Sequence, residues 1–286
     1  MENNILLVDA RNLMYRAIFA NKRAHSPQHA FTVMLRFMCE WLDKFKPSAV
    51  HMFWDSEKAY LWRRRILPTY KQRVKEYEVD IRQDLVATQA AARALLPSMG
   101  VRQFYKRGME ADDLIFAACK TLSPQPVIIV SSDADYQQAV FNMPHVRWYN
   151  PMEKTLYDKP EFDPAIQKAL AGDRSDNVEG YHNIGPVKGA KMAASLNERW
   201  QFLREAGVSI YIRNLLLIDL SLCPDLLKNL LYVQCELLKP VLFDKHILFR
   251  QAKEYKVSGF VTEFDRLAIR FKHLVDGYPA ATTNST

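Results

Sequence analysis

The chain has 286 residues, 39 Lys+Arg against 32 Asp+Glu for a net charge of +7, and 49% hydrophobic residues. That is enough chain to bury a sizeable core in one large domain or two small ones, and its basic balance favours an anionic partner. No apolar stretch nears the ~20 residues a membrane span needs, the Met1-Glu-Asn-Asn start lacks the basic n-region of a signal peptide, and Cys39, Cys119, Cys223 and Cys235 form no Cys-x-x-Cys pair, so reduced thiols in a cytoplasm are expected.

Short apolar runs at Ile5–Val8, Ala49–Trp54, Val101–Tyr105, Val127–Val130 and Val146–Tyr149 read as strands. Helical spacing between them covers Phe31–Phe45, Asp84–Leu95 and Asp112–Thr121. This alternation predicts an α/β fold with a mostly parallel central sheet flanked by helices. From about residue 160 strand signals stop, and Ala165–Leu170, Lys188–Leu196, Ile210–Ile218, Pro224–Leu238 and Asp244–Tyr255 look helical. The boundary falls near Asp163–Gly172. We therefore expect an α/β domain over residues 1–165, a helical DNA-binding region over 166–278, and a small, polar, disordered tail over 279–286.

In parallel sheets polar sites collect beyond the carboxyl ends of the strands, and acids recur there. Asp9 ends the first strand and Asp55 the second; Glu110, Asp112 and Asp113 open a helix; Asp133 and Asp135 follow the fourth strand; Asp173 and Asp176 begin the helical region. Singly, each has an ordinary explanation as a turn residue, an N-cap or a partner of the helix dipole. Together they put up to nine carboxylates at one sheet edge. Two like charges 4 Å apart repel by about 4 kcal/mol at an effective dielectric of 20, so such a cluster needs protons or cations. Hard oxygen ligands select Mg²⁺ or Mn²⁺, and a pair of such ions suits phosphodiester hydrolysis.

Two further segments suggest nucleic acid. Trp62–Lys75 holds Arg63, Arg64, Arg65, Lys71, Arg73 and Lys75 with no acid. A charge run is usually a solvated face, but this one follows directly on Asp55, where its cations would neutralise phosphates and Tyr70 would stack on a base. Val178–Lys191 contains Ile184-Gly185-Pro186 before Lys188 and Lys191. It reads either as an ordinary αα connection or as a helix–hairpin–helix-like element whose backbone N–H groups hold a phosphate.

In order and type, these motifs resemble the 5′-nuclease superfamily of flap endonucleases, the 5′-nuclease domain of bacterial DNA polymerase I, and phage enzymes. The resemblance runs from Ile5 to Leu196 and is carried by Glu110-Ala-Asp-Asp, Ser132-Asp-Ala-Asp and Gly172-Asp-Arg-Ser-Asp-Asn. Tyr60-Leu-Trp-Arg-Arg, Tyr149-Asn-Pro-Met and Asn214-Leu-Leu-Leu-Ile-Asp look similar to the RNase H enzymes of T-even-type phages. The resemblance implies a PIN/5′-nuclease-like fold and one Mg²⁺ among Asp9, Asp55, Glu110, Asp112 and Asp113. It implies a second among Asp133, Asp135, Asp173 and Asp176, with Mn²⁺ able to substitute. It also implies a basic arch or bridge near residues 58–82, with Lys71 and Arg73 at the scissile phosphate, and a K⁺ ion at the hairpin. The implied role is removal of RNA primers by a monomeric phage enzyme in a bacterial cytoplasm, acting on RNA–DNA hybrid, duplex DNA and flaps beside a sliding clamp and a single-strand-binding protein. A PIN-type single-strand ribonuclease and a catalytically silent nucleic-acid-binding replication factor stay open as alternatives.

Overall fold

The structure, a computed structural model, describes residues 4–20, 27–72, 81–257 and 261–276. Strands β1 (Ile5–Asp9), β2 (Ala49–Trp54), β3 (Arg102–Tyr105), β4 (Val127–Val130), β5 (Val146–Asn150) and β6 (Thr155–Tyr157) form one sheet in the order β3-β2-β1-β4-β5-β6. The first five are parallel, and β6 adds an antiparallel edge on β5. The expected parallel α/β sheet is thus present, with a strand that the sequence reading did not include.

The strands are continuous apolar runs because both faces of the sheet are covered. Side chains alternate across a strand, so Leu6 and Val8 of β1 face one core while Ile5 and Leu7 face the other. On the first face lie helices α1 (Ala10–Ala20), α2 (Pro27–Phe45) and α3 (Arg82–Leu95), through residues such as Leu13, Met34 and Leu95. On the second lie α4 (Ala111–Leu122) and α5 (Gln137–Asn142), through Leu114, Ile115 and Val140. The chain leaves β1 towards one face and β4 towards the other. That divergence opens a crevice beyond their carboxyl ends, where ligands bind in open α/β sheets.

Helices α6 (Pro164–Ala171), α7 (Pro186–Ala194), α8 (Leu196–Ala206) and α9 (Ser209–Ile218) gather around a smaller core that includes Leu170, Tyr181, Ile184, Leu203 and Tyr211. Between α6 and α7 runs a two-stranded ribbon, β7 (Gly172–Asp173) against β8 (Val178–Glu179). α6 and α7 touch closely at Gly189, where a Cβ would fall 2.9 Å from the Gln167 carbonyl oxygen. Gly172 adopts φ +82° and lies so near Gly180 that a Cβ would stand 2.4 Å from its nitrogen. Two closely packed helices flanking the ribbon and Ile184-Gly185-Pro186 correspond to the helix–hairpin–helix-like element expected from that segment.

Beyond Ile218 the chain departs from the expectation of a separate helical region running to residue 278. Helix α10 (Leu226–Leu237) packs on α4 and contributes Val233 to the second-face core. Helix α11 (Lys245–Glu254) packs on α3, and α12 (Val261–Ala268) on α2. Leu248, Ala252, Phe264 and Phe271 are buried in the first-face core. These amphipathic helices bury their apolar stripes against the nearest large apolar surface, which is the α/β layer itself. The predicted tail over 279–286 lies outside the described residues.

Candidate active site

A cleft of about 430 Å³ opens at the β1–β4 crevice, and six of the predicted acids line it: Asp9, Asp55, Glu110, Asp112, Asp133 and Asp176. Each arrives there for a local reason. Asp9 closes β1 and accepts from the Asn12 backbone N–H at 3.0 Å, in the first turn of α1. Asp55 follows β2 and accepts from the Ala111 N–H at 2.8 Å, at the first residue of α4. Glu110 caps α4 reciprocally with Asp113. Asn12 ties the two walls of the crevice together, donating to Ser132 Oγ (2.6 Å) and accepting from the Ser132 N–H (3.1 Å).

The charges are crowded. Burial, then Asp55 and Asp133, push the Asp9 carboxyl up to about 7, although the Asn12 N–H opposes the rise. Burial also lifts Asp112 well above the usual carboxylate range, with Arg63 opposing and Glu110 and Asp113 adding to it. Glu110 goes the other way: burial works to raise it, but Lys71 and Arg63 hold it down at about 2. Lys71 Nζ lies 2.6 Å from Glu110 Oε1 and 3.5 Å from Asp176 Oδ2. The lysine takes a left-handed φ of +47°, and its N–H donates to the Asp176 carbonyl at 3.0 Å. A non-glycine residue in that region is held there by its surroundings.

Three predicted roles are revised by the geometry. Arg63, expected on DNA, is 1% exposed. It donates to Asp113 through Nη1 and Nη2 (2.9 and 2.8 Å), to Glu110 Oε2 (2.8 Å) and to the Leu217 carbonyl (2.7 Å). Asp113, expected on a metal, lies within 4.8 Å of the Glu110 and Asp112 ligand atoms but is fully buried, with Arg63 and the Trp62 indole N–H (3.0 Å) on its oxygens. It is a structural counter-ion under the site. Tyr70, expected to stack on a base, is 2% exposed and donates to Asp176 Oδ2 (2.8 Å) and Glu110 Oε2 (3.1 Å). A basic run looks solvated in a sequence. Here its first part, Trp62–Arg65, forms a 3-10 turn that places Arg63 against buried acids.

Asp135 and Asp173 do not line the cleft; they close around Lys168, which ion-pairs with both, at 2.7 Å in the case of Asp173. Burial raises Asp135, although Lys168 opposes it, while at Asp173 the Lys168 ammonium overcomes burial and lowers the carboxyl. Burial also raises Asp176, against the pull of Lys71. Lys168 was not among the sequence candidates, and its one legible signal is its place five residues before Asp173. Arg64 is half-buried and ties the following turn to itself through the Tyr70 carbonyl (3.1 Å), while Arg65, Gly185, Lys188 and Lys191 are exposed. Arg73 and Lys75 lie outside the described residues.

Part-buried carboxyls that burial and neighbouring acids push up, Asp9 and Asp112, next to further hard oxygen donors in Asp55 and Asp133, fit a divalent cation, which would compete with protons there.

A doubly wound sheet with acids converging at its switch point and a helix–hairpin–helix beside them is the framework of a 5′-nuclease. Residues 4–167 match the family model described as the 5′-3′ exonuclease, N-terminal resolvase-like domain, and the chain belongs to that family. The flap endonuclease Xni of Pectobacterium carotovorum is 30% identical over 220 residues, covering 71% of this chain and 80% of that protein. The Klebsiella pneumoniae Xni is 31% identical over 212 residues, covering 69% and 78%. Among solved structures, the T5 5′-exonuclease with bound zinc superposes with a TM-score of 0.65 at 19% identity, over 88% of this chain and 98% of that one. At that identity the likeness speaks for the fold.

Proposed function

We propose that this nuclease hydrolyses phosphodiester bonds from the 5′ ends of RNA–DNA hybrids, duplex DNA and flaps, using two Mg²⁺ ions that Mn²⁺ can replace, and that it removes RNA primers during phage DNA replication. One observation carries the reading: six carboxylates from five separate stretches of chain meet in one open cleft beside Lys71. The family membership and the Xni relatives support 5′-end and flap substrates, and the solved T5 enzyme with zinc supports a divalent cation.

Asp9, Asp55, Glu110 and Asp112 would hold one cation and Asp133, Asp135, Asp173 and Asp176 the other, with Asp113 behind the first through Arg63. When bound, such a pair activates a water and stabilises the leaving oxygen of a phosphodiester. The chain's own groups do the rest. Lys71 sits 2.6 Å from Glu110 at the cleft, where its ammonium can meet a non-bridging oxygen of the scissile phosphate. Lys168 keeps Asp135 and Asp173 together. Exposed Arg65, Lys188 and Lys191 would offer cations to flanking phosphates, and the N–H groups at the start of α7, after Gly185, would meet a backbone phosphate as helix N-termini can.

The test is cleavage mapping on 5′-labelled hybrid, nicked duplex and flap substrates with Mg²⁺ or EDTA. Asp176→Asn and Asp135→Asn are expected to abolish or shift cutting while DNA binding stays measurable. Undiminished cleavage by both variants would overturn the proposal. A preference for single-stranded RNA would favour a PIN-type ribonuclease instead.

A further inference from the structure

A second cavity, of about 390 Å³, lies beside the acidic cleft and shares Arg11, Asp55 and Ser56 with it. Its lining differs sharply from that of the first. Met14, Leu85 and Val86 give it an apolar side, Trp54 and Tyr105 supply two aromatic rings, and Arg11, Arg82 and Arg93 supply three guanidinium groups. Arg93 holds its guanidinium 4.7 Å from the centre of the Tyr105 ring and 5.7 Å from that of Trp54. Among the described residues no carboxylate ion-pairs with Arg82 or Arg93. Of the two acids in the lining, Asp55 accepts from the Ala111 N–H (2.8 Å) and Glu57 is engaged by the Tyr105 hydroxyl (2.9 Å) and Ser56 Oγ (3.3 Å). Cavities of ~300–1,000 Å³ with an apolar lining and a few placed polar groups are the usual form of small-ligand sites.

A cation stacked on aromatic rings could be mere surface cover, and for an isolated arginine that would suffice. Three features argue for a ligand. Among the described residues three guanidinium groups share the lining with two acids, and Arg82 and Arg93 are exposed. Val86 is 62% exposed and Tyr105 partly so, which leaves part of the apolar side and one ring open to the cavity. The cavity also shares a wall with the site of chemistry, and Arg11, which donates to Tyr15 Oη at 3.1 Å, stands between the two. Flat apolar surface, a stacked guanidinium and further cations within one cavity match a nucleobase with a phosphate attached.

We propose that this cavity takes the 5′-terminal nucleotide of the strand being cut, with its base against Arg93 and Tyr105 and its 5′-phosphate towards Arg82 and Arg11. The phosphodiester on the 3′ side of that nucleotide is then the one lying over Asp55 and its neighbours. This rests on the nuclease reading and extends it: the subsite sets how many nucleotides are released, favouring single 5′-mononucleotides where a terminal base seats.

The chemistry is that of a nucleoside 5′-phosphate, which can come from a strand end or from free product, and two arms separate them. In the first, AMP, dAMP and adenosine are titrated into the full-length protein in EDTA by calorimetry, so the readout needs no metal and no turnover. AMP and dAMP are expected to bind, with Arg93→Ala weakening both about tenfold, as loss of one base stack would. Arg82→Ala is expected to weaken the nucleotides but not adenosine. Both side chains are exposed, so neither variant threatens the fold. In the second arm, products from 5′-phosphorylated nicked duplex are sized, and the ratio of mononucleotide to longer product is expected to fall about tenfold in the double variant. No nucleotide binding by the wild type, equal binding by both variants, or an unchanged product ratio would overturn the subsite. A wild type that binds AMP yet cuts no 5′-ended substrate in Mg²⁺ or Mn²⁺ would instead overturn the nuclease reading.

Discussion

Arg63 offers the sharpest test of how this site is built, because sequence and structure assign it opposite roles. As a phosphate ligand, its loss would weaken DNA binding and leave stability alone. As the buried partner of Asp113 and Glu110, its loss strands Asp113, which is 0% exposed, and leaves Glu110, 4% exposed, to Lys71 and Tyr70. Removing one member of a buried ion pair costs about 3–5 kcal/mol. Arg63→Met keeps most of the volume and removes only the charge and its donors. For a chain of this size about 1 kcal/mol moves the melting temperature by roughly 2–4 °C, so a loss on the order of 6–20 °C is expected in a thermal melt. Glu110 adds a pH signature. Its folded carboxyl is held at about 2, below its ordinary 4.5, so its contribution is fully present above about 4.5 and is lost as pH falls towards 2. In Arg63→Met that acid-side loss should start from a lower plateau.

The double variant Arg63→Met/Asp113→Asn closes the cycle. If the pair is structural, neutralising Asp113 should recover part of the loss, and the coupling should exceed 1 kcal/mol, as expected of groups in direct contact. The salt dependence of DNA binding by the folded variant should match the wild type, because no phosphate contact has gone. An unchanged melt combined with a shallower salt slope would refute this reasoning and return Arg63 to the DNA.

Three other outcomes follow from the cleft. Lys71→Ala is expected to lower turnover more than affinity measured in EDTA; wild-type turnover would remove Lys71 from the site. Lys168→Met removes the ammonium between Asp135 and Asp173, so the metal-free melt should drop, and millimolar Mg²⁺ should narrow the gap to wild type; a gap indifferent to Mg²⁺ would count against a cation there. Asp9 is raised from 3.8 to about 7, so the metal-free protein should lose stability as pH climbs from about 4 towards 7, and Mg²⁺ should raise the melting temperature more at pH 8 than at pH 5.5. Equal increments at both would contradict proton–cation exchange at that carboxyl.

The sheet was legible because buried parallel strands are unbroken apolar runs, and Val127–Val130 is one with no polar residue to confuse it. Edge strand β6 was not, since Thr155–Tyr157 is three residues long, partly exposed and paired on one side only. Helix α1 went unread although Leu13, Met14, Ala17 and Ile18 have helical spacing, because it begins on the residue after Asp9 with no turn between. The acids could be found from their place after strands. Their division into cleft-facing and buried could not, because it depends on cations 39 to 50 residues away, as for Lys71–Glu110 and Arg63–Asp113. The return of α10 to α12 onto the α/β layer was equally hidden. An amphipathic stripe states that a helix needs a surface and not which one.

These placements bear on how a cluster of acids survives folding before any metal arrives. Left bare, the carboxylates would repel one another across a few ångströms, and a fold that depended on an external cation would be unstable without it. The chain instead carries its own counter-ions at three depths. Arg63 neutralises Asp113 and Glu110 permanently from below, where no solvent reaches. Lys71 and Lys168 stand at the sides, each between two acids and each just over a quarter exposed, so they can withdraw when something better bound takes their place. Asp9 and Asp112, facing the open cleft, are the carboxyls that burial pushes up, Asp112 despite the Arg63 guanidinium 4.0 Å away. Asp113, beneath the cleft, thus has a fixed partner, while Glu110 and Asp176 at the cleft share the partly exposed Lys71, which is the division that a site made to gain and lose cations requires.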